Sequence, residues 1–179
     1  MSSDSVSGGA VSGDPAAIAA AIPGDPAVVL IDGRSGSGKS ALATSLAGAL
    51  DAQLLRLDDV YPGWEGLKTA SEQVAVILET GRWQRWDWAS ERLAERHTLD
   101  LTRPLILEGG GALTRASRAR ATYGIWVELD EQARKVRALA RDGTAYEPHW
   151  ENWAAQEQRH IDRERPDLLA DLVLAGIGL

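Results

Sequence analysis

Residues 27–47 read Ala27-Val28-Val29-Leu30-Ile31-Asp32-Gly33-Arg34-Ser35-Gly36-Ser37-Gly38-Lys39-Ser40-Ala41-Leu42-Ala43-Thr44-Ser45-Leu46-Ala47. An apolar run, a glycine-rich loop and an alanine-rich segment follow in that order, which predicts strand, loop and helix. Between Gly33 and Ser40 the spacing is G-x-x-x-x-G-K-S. Glycines at these positions let backbone N–H groups turn inward around an anion at the positive end of the following helix, so the stretch reads as a phosphate cradle. Gly33, Ser35, Gly36, Ser37, Gly38, Lys39, Ser40 and Ala41 are the candidate nucleotide-binding residues. Lys39 reaches the β- and γ-phosphates in such a loop, and the Ser40 hydroxyl ligates magnesium, so ATP and Mg2+ are the expected cofactors. The strand before the loop and the helix after it supply the context that the motif needs.

The bulk properties narrow the classes. A chain of 179 residues, 44% hydrophobic, suffices for one domain with a substantial core. Residues 14–179 are expected to form that domain, after a flexible Ser/Gly-rich tail over 1–13 that has neither a basic nor an apolar signal-peptide region. A net charge of −7 argues against a sequence-independent nucleic-acid binder, which needs a surplus of Lys and Arg. The absence of cysteine excludes disulfides and thiolate metal sites. No apolar run approaches the roughly 20 residues that span a bilayer. The expectation is a soluble, cytoplasmic protein with small-molecule partners and no nucleic-acid or membrane partner; homo-oligomers stay open.

Four more short apolar segments follow the first, at 53–57, 104–108, 124–129 and 170–175, and helical spacing is read at 40–50, 71–78, 89–97, 131–141 and 147–163. A short leading helix is read at 16–22. Strands alternating with helices predict an α/β fold, a five-stranded parallel sheet with helices on both faces, and ligands at the carboxyl ends of the strands.

Polar residues ending those strands are the candidates for chemistry. The second segment closes on Asp58-Asp59-Val60-Tyr61-Pro62-Gly63-Trp64. Beside a phosphate cradle these carboxylates suit a general base that takes a proton from an acceptor hydroxyl; the other reading is a turn with solvated charges. Asp58 is the first choice and Asp59 the second, because strand alternation sends them to opposite sides. The third segment ends in Glu108-Gly109-Gly110-Gly111. A carboxylate closing a buried strand faces a desolvation cost, which a magnesium ion nearby offsets. Glu108 is therefore the second metal candidate with Ser40, unless it only accepts N–H groups from the triple-glycine turn. Arg134, Arg137 and Arg141 recur at helical spacing on one face. They form either a solvated stripe or a short lid over a triphosphate, with Arg137 and Arg141 the stronger catalytic candidates beside Asp58 and Lys39.

Seven tryptophans stand beside no phenylalanine. Trp86 and Trp88 flank Asp87, and one ring could stack on a planar substrate while Asp87 bonds its edge; the alternative is a helix start capped by Asp87. With Asp58, Asp59, Tyr61 and Trp64 these make the candidate substrate-binding set. Trp150 and Trp153 read as helix packing, and His149 and His160 as surface residues.

Taken in order, Gly33 to Ser40, Asp58-Asp59-Val60-Tyr61, Trp86-Asp87-Trp88, Leu107-Glu108-Gly109, Arg134 to Asp142 and Ala170 to Leu174 resemble the uridine kinase and nucleoside kinase-like family of phosphate-loop kinases. The resemblance covers most of the chain after Ala27. It implies an ATP-dependent phosphotransferase in which the acid at Asp58 binds or deprotonates the acceptor hydroxyl, Glu108 works with magnesium, and the lid arginines hold the triphosphate. Trp86 and Trp88 stand where that family usually carries Tyr or Phe, so the resemblance supports a kinase more firmly than a nucleoside acceptor. The alternatives are a kinase for a non-nucleoside or a nucleoside monophosphate, and a phosphate-loop ATPase or switch. No N-K-x-D guanine-specifying segment is present for the last.

Overall fold

Alternation along the first apolar run divides the core in two. In the computed structural model, which describes residues 13–175, Pro15–Ala21 forms helix α1 and Val28–Gly33 strand β1. The tail expected over 1–13 lies outside the described residues up to residue 12. Val29 and Ile31 point to one face with Ile18, Leu42 and Leu46, while Leu30 points to the other with Leu57, Leu67 and Trp153. This is the period-2 geometry of a strand buried on both sides.

Helix α2 (Lys39–Leu50) follows the loop, then β2 (Gln53–Arg56), a 3-10 turn at Leu57–Asp59 and α3 (Leu67–Thr80). Strands β3 (Arg82–Asp87) and β4 (Arg92–Thr98) form a separate antiparallel hairpin. The chain then runs through β5 (Leu105–Glu108), α4 (Arg115–Arg118), β6 (Tyr123–Glu128), α5 (Glu131–Asp142), α6 (Trp150–Glu164), α7 (Pro166–Leu169) and β7 (Leu172–Ala175). The main sheet has the order β2-β5-β1-β6-β7, every pair parallel. All five expected strands are present. The connection after β1 runs to β2 on one side, while that after β5 crosses β1 to β6 on the other, and this divergence opens a crevice at the carboxyl ends of β1 and β5. The glycine loop fills that position. Among the described residues no helix is long and apolar enough to cross a membrane.

The hairpin corrects one expectation. Residues 89–97 are not helical: Ala89–Glu91 turn the chain and Arg92–Thr98 pairs with β3, His97 opposite Trp83 with the rings stacked 4.5 Å apart. Asp87 caps that turn through the Ala89 N–H and the Ser90 hydroxyl, so it starts no helix.

Candidate phosphotransfer site

The loop between β1 and α2 turns on positive-φ glycines, Gly36 at +80° and Gly38 at +100°, which side chains rarely adopt. Gly38 is also the N-cap of α2, and no side chain caps it, so the first-turn N–H groups remain open to an anion. Gly36 lies flat against α5: a Cβ there would meet the Arg134 carbonyl oxygen at 2.2 Å. Gly36→Ala is therefore expected to displace the loop and weaken MgADP binding by about tenfold or more, read by titration calorimetry.

A ring of buried polar residues fixes the loop from behind. Arg134 is only 2% exposed; it donates from Nε to the Leu129 carbonyl (3.0 Å) and from Nη1 to that of Ser35 (3.4 Å). The Ser35 N–H donates to Glu157 Oε1 at 2.7 Å, and Arg34 donates to Gln158. Burial pushes the Glu157 carboxyl up, while Lys39 and the Ser35 amide hold it down. Asp32, 1% exposed, accepts N–H groups from Gly33 (2.7 Å), Gly111 (3.0 Å) and Leu113 (2.8 Å), and from His160 Nε2 (3.1 Å). In the triple-glycine turn the Gly111 amide donates to Asp32 and the Gly109 amide to the Ile31 carbonyl at 3.1 Å, neither to Glu108. His160 is a buried residue, 2% exposed, and not the surface histidine expected. His149 is half-buried, stacked 4.1 Å from Trp64.

Glu108 ends β5 almost fully buried, with Arg56 Nε at 3.5 Å and no hydrogen bond to its Oε1. Burial raises its pKa, and Lys39 and the Ser40 hydroxyl oppose the rise. A buried, under-coordinated carboxylate beside a hydroxyl at the mouth of an open helix N-terminus fits a hydrated magnesium ion, which prefers oxygen ligands and binds few protein carboxylates.

Two clefts meet here. One of about 320 Å³ lies between the loop and α5, lined by Gly36, Gly38, Lys39, Ser40, Ala41, Arg137 and Arg141. The other, about 610 Å³, holds Asp58 and Arg56 with the rings of Tyr61, Trp64, Trp88, Tyr146 and Trp153. Lys39, Ser40 and Arg141 border both. Of the three arginines on α5, Arg134 braces the loop, while Arg137 and Arg141 face a cleft.

Asp58 and Asp59 are not separated by strand alternation, because β2 stops at Arg56 and both lie on the 3-10 turn. Asp58 lines the larger cleft, and its carboxylate makes no hydrogen bond or ion pair to the described residues. Asp59 does not line it; burial and its neighbour Asp58 raise its pKa. Tyr61 is buried, and its hydroxyl donates to the Gly110 carbonyl at 2.8 Å. Of the triplet 86–88 only Trp88 reaches the cleft, with its Nε1–H donating to the Asp58 carbonyl at 2.8 Å. Trp86 packs near Gly63, and Asp87 serves its own turn. Trp150 and Trp153 are buried in helix packing, Trp153 also forming cleft wall.

Sequence reasoning missed Gln156, Glu157, His160 and the role of Asp32. A signal was present: 153, 156, 157 and 160 share one helical face, so a buried Trp153 carries the polar three inward with it.

No family model matches the chain, and no curated protein matches it. Solved structures do. A possible uridine kinase from Bacillus stearothermophilus superposes with a TM-score of 0.58 at 18% identity, over 88% of this chain and 95% of that one. A protein named, provisionally, as a fructose transport system kinase from a Silicibacter species gives 0.55 at 19% identity, over 89% and 98%. The chain shares the α/β fold of these two structures.

Proposed function

We propose that the protein is an ATP-dependent kinase that transfers the γ-phosphoryl group to a hydroxyl of a small molecule. The observation that carries this reading is the junction of the two clefts at Lys39, Ser40 and Arg141, with an unengaged Asp58 carboxylate in the larger one. A nucleotide bound in the narrow cleft would bring its terminal phosphate to that junction. Asp58 accepts the proton of an acceptor hydroxyl, whose oxygen bonds to phosphorus as the bridging oxygen departs with its electron pair on ADP. Lys39, Arg137 and Arg141 offset the charge that develops on the transferring group and the leaving oxygen. Ser40 and Glu108 are the residues that would hold magnesium, which would supply Lewis-acid polarisation of the phosphates. The segment between α5 and α6 places Ala145 and Tyr146 against the acceptor cleft and serves as the short lid. The fold likeness to proteins named as uridine and sugar kinases is in keeping with this reading.

ADP release measured across a panel of hydroxyl compounds tests it. Stimulation above the rate with water alone is expected for at least one acceptor. Release that no acceptor raises, but that a protein partner does, would favour a nucleotide-dependent switch instead. For the acceptor, the family resemblance suggests a nucleoside; the small number of free polar groups on the cleft wall favours a second reading.

A further inference from the structure

We infer that the acceptor is an alcohol with an apolar ring body, aromatic or alicyclic, and few polar substituents besides the hydroxyl that is phosphorylated. The inference rests on the kinase reading above and concerns the wall of the larger cleft. Trp64, Trp88, Tyr146, Trp153 and Tyr61 supply most of that wall away from the glycine loop. Two of their polar handles are spent, the Tyr61 hydroxyl on the Gly110 carbonyl and the Trp88 Nε1–H on the Asp58 carbonyl, and the indoles of Trp64 and Trp153 carry a single N–H donor each. Arg56 is engaged by Thr44 and Glu108. Asp58 is left as the carboxylate that can meet a ligand hydroxyl.

A polyol or sugar acid enclosed here would leave hydroxyl groups facing ring carbons, losing their water without gaining a partner. Selecting such a substrate needs groups built to bond it, and the wall presents ring faces and edges instead. The rings also rule out one mode of recognising a flat base. A planar ring sandwiched between two others needs about 7 Å between its neighbours, twice the carbon–carbon contact distance. Trp64 stands 5.0 Å from Trp88 at 58°, 5.5 Å from Tyr146, and Tyr61 stands 4.8 Å from Trp153 at 77°. These rings close on one another and leave no slot between them. A body that packs against their outer surface gains by burying apolar area, without a stack on both faces and without edge hydrogen bonds.

The test compares 2-phenylethanol and cyclohexylmethanol with uridine, cytidine and D-gluconate in MgATP-dependent ADP release. The expected result is a kcat/KM for an apolar alcohol at least tenfold above that for any nucleoside or sugar acid. Trp88→Ala should then raise the KM of that alcohol about tenfold and change the KM of MgATP less than twofold, and Trp88→Phe, which keeps a ring, should restore most of the loss. Preference for a nucleoside or for gluconate overturns the inference while leaving the kinase reading intact. If no alcohol in the panel stimulates release, and neither apolar alcohol gives a saturable change in tryptophan emission that Trp88→Ala abolishes, the inference is likewise overturned. Failure of MgATP itself to bind, read by calorimetry, would instead remove the kinase reading and the inference with it.

Discussion

Asp58→Asn is expected to lower kcat for transfer to the best acceptor by about 10²–10⁴, the range for losing a positioned general base, and to leave MgADP affinity within about twofold. The asymmetry follows from placement. Asp58 lines the larger cleft and not the one between the glycine loop and α5, whereas Lys39 borders both. Asparagine keeps the volume and can still contact a hydroxyl, but it cannot hold the proton. Lys39→Ala should instead damage nucleotide affinity and turnover together. Steady-state kinetics with calorimetry for MgADP separates the cases. A tenfold loss of ADP affinity in Asp58→Asn would put that residue on the nucleotide side. An unchanged kcat would move the role to Asp59, the neighbour on the same turn.

Asp32→Ala should cost about 3–5 kcal/mol of folding stability, because it removes the single acceptor group for four buried donors. Gly33, Gly111 and Leu113 would keep N–H groups with neither partner nor water, and His160 would lose its carboxylate. For a chain of this length the loss corresponds to a fall in Tm of roughly 10 °C, followed by thermal or urea unfolding. Asp32→Asn keeps one accepting oxygen and should cost about half as much. A change below about 1 kcal/mol for Asp32→Ala would mean that these donors find other partners, and that the network is not what holds the β1 and β5 loops together.

Much of this architecture was legible because it is local. The run 27–47 carries its own strand, turn glycines and helix, and each of the other four parallel strands is a short apolar run between polar boundaries. The β3–β4 hairpin was not legible. Arg92-Leu93-Ala94-Glu95-Arg96 has good intrinsic helix propensity and no clear alternation; pairing with β3, the bidentate Arg85–Glu95 ion pair and the Trp83–His97 stack override it. Asp58 and Lys39 could be nominated from motif position, yet which of the residues 86–88 faces the cleft depends on a bulge between Gln84 and Trp86 that shifts the register. The buried polar residues of α6 were hidden for a different reason. Gln, Glu and His on a helix are normally solvated, and only partners far away in sequence, Ser35 at 122 positions and Asp32 at 128, make burial tolerable.

Helix α6 also touches the acceptor side, where Gln156 donates to the Trp64 carbonyl at 2.6 Å and accepts the Leu67 N–H at 3.3 Å. One rigid rod therefore grips three separate loops at once: the one that wraps phosphate, the glycine turn after β5 through Asp32, and the one that presents the indole wall. None of them can shift alone without breaking a buried or half-buried hydrogen bond. Whatever strengthens the hold on one ligand through this rod must, by thermodynamic reciprocity, strengthen the hold on the other by the same factor. On the kinase reading proposed above, nucleotide and acceptor would each tighten the binding of the other through this helix.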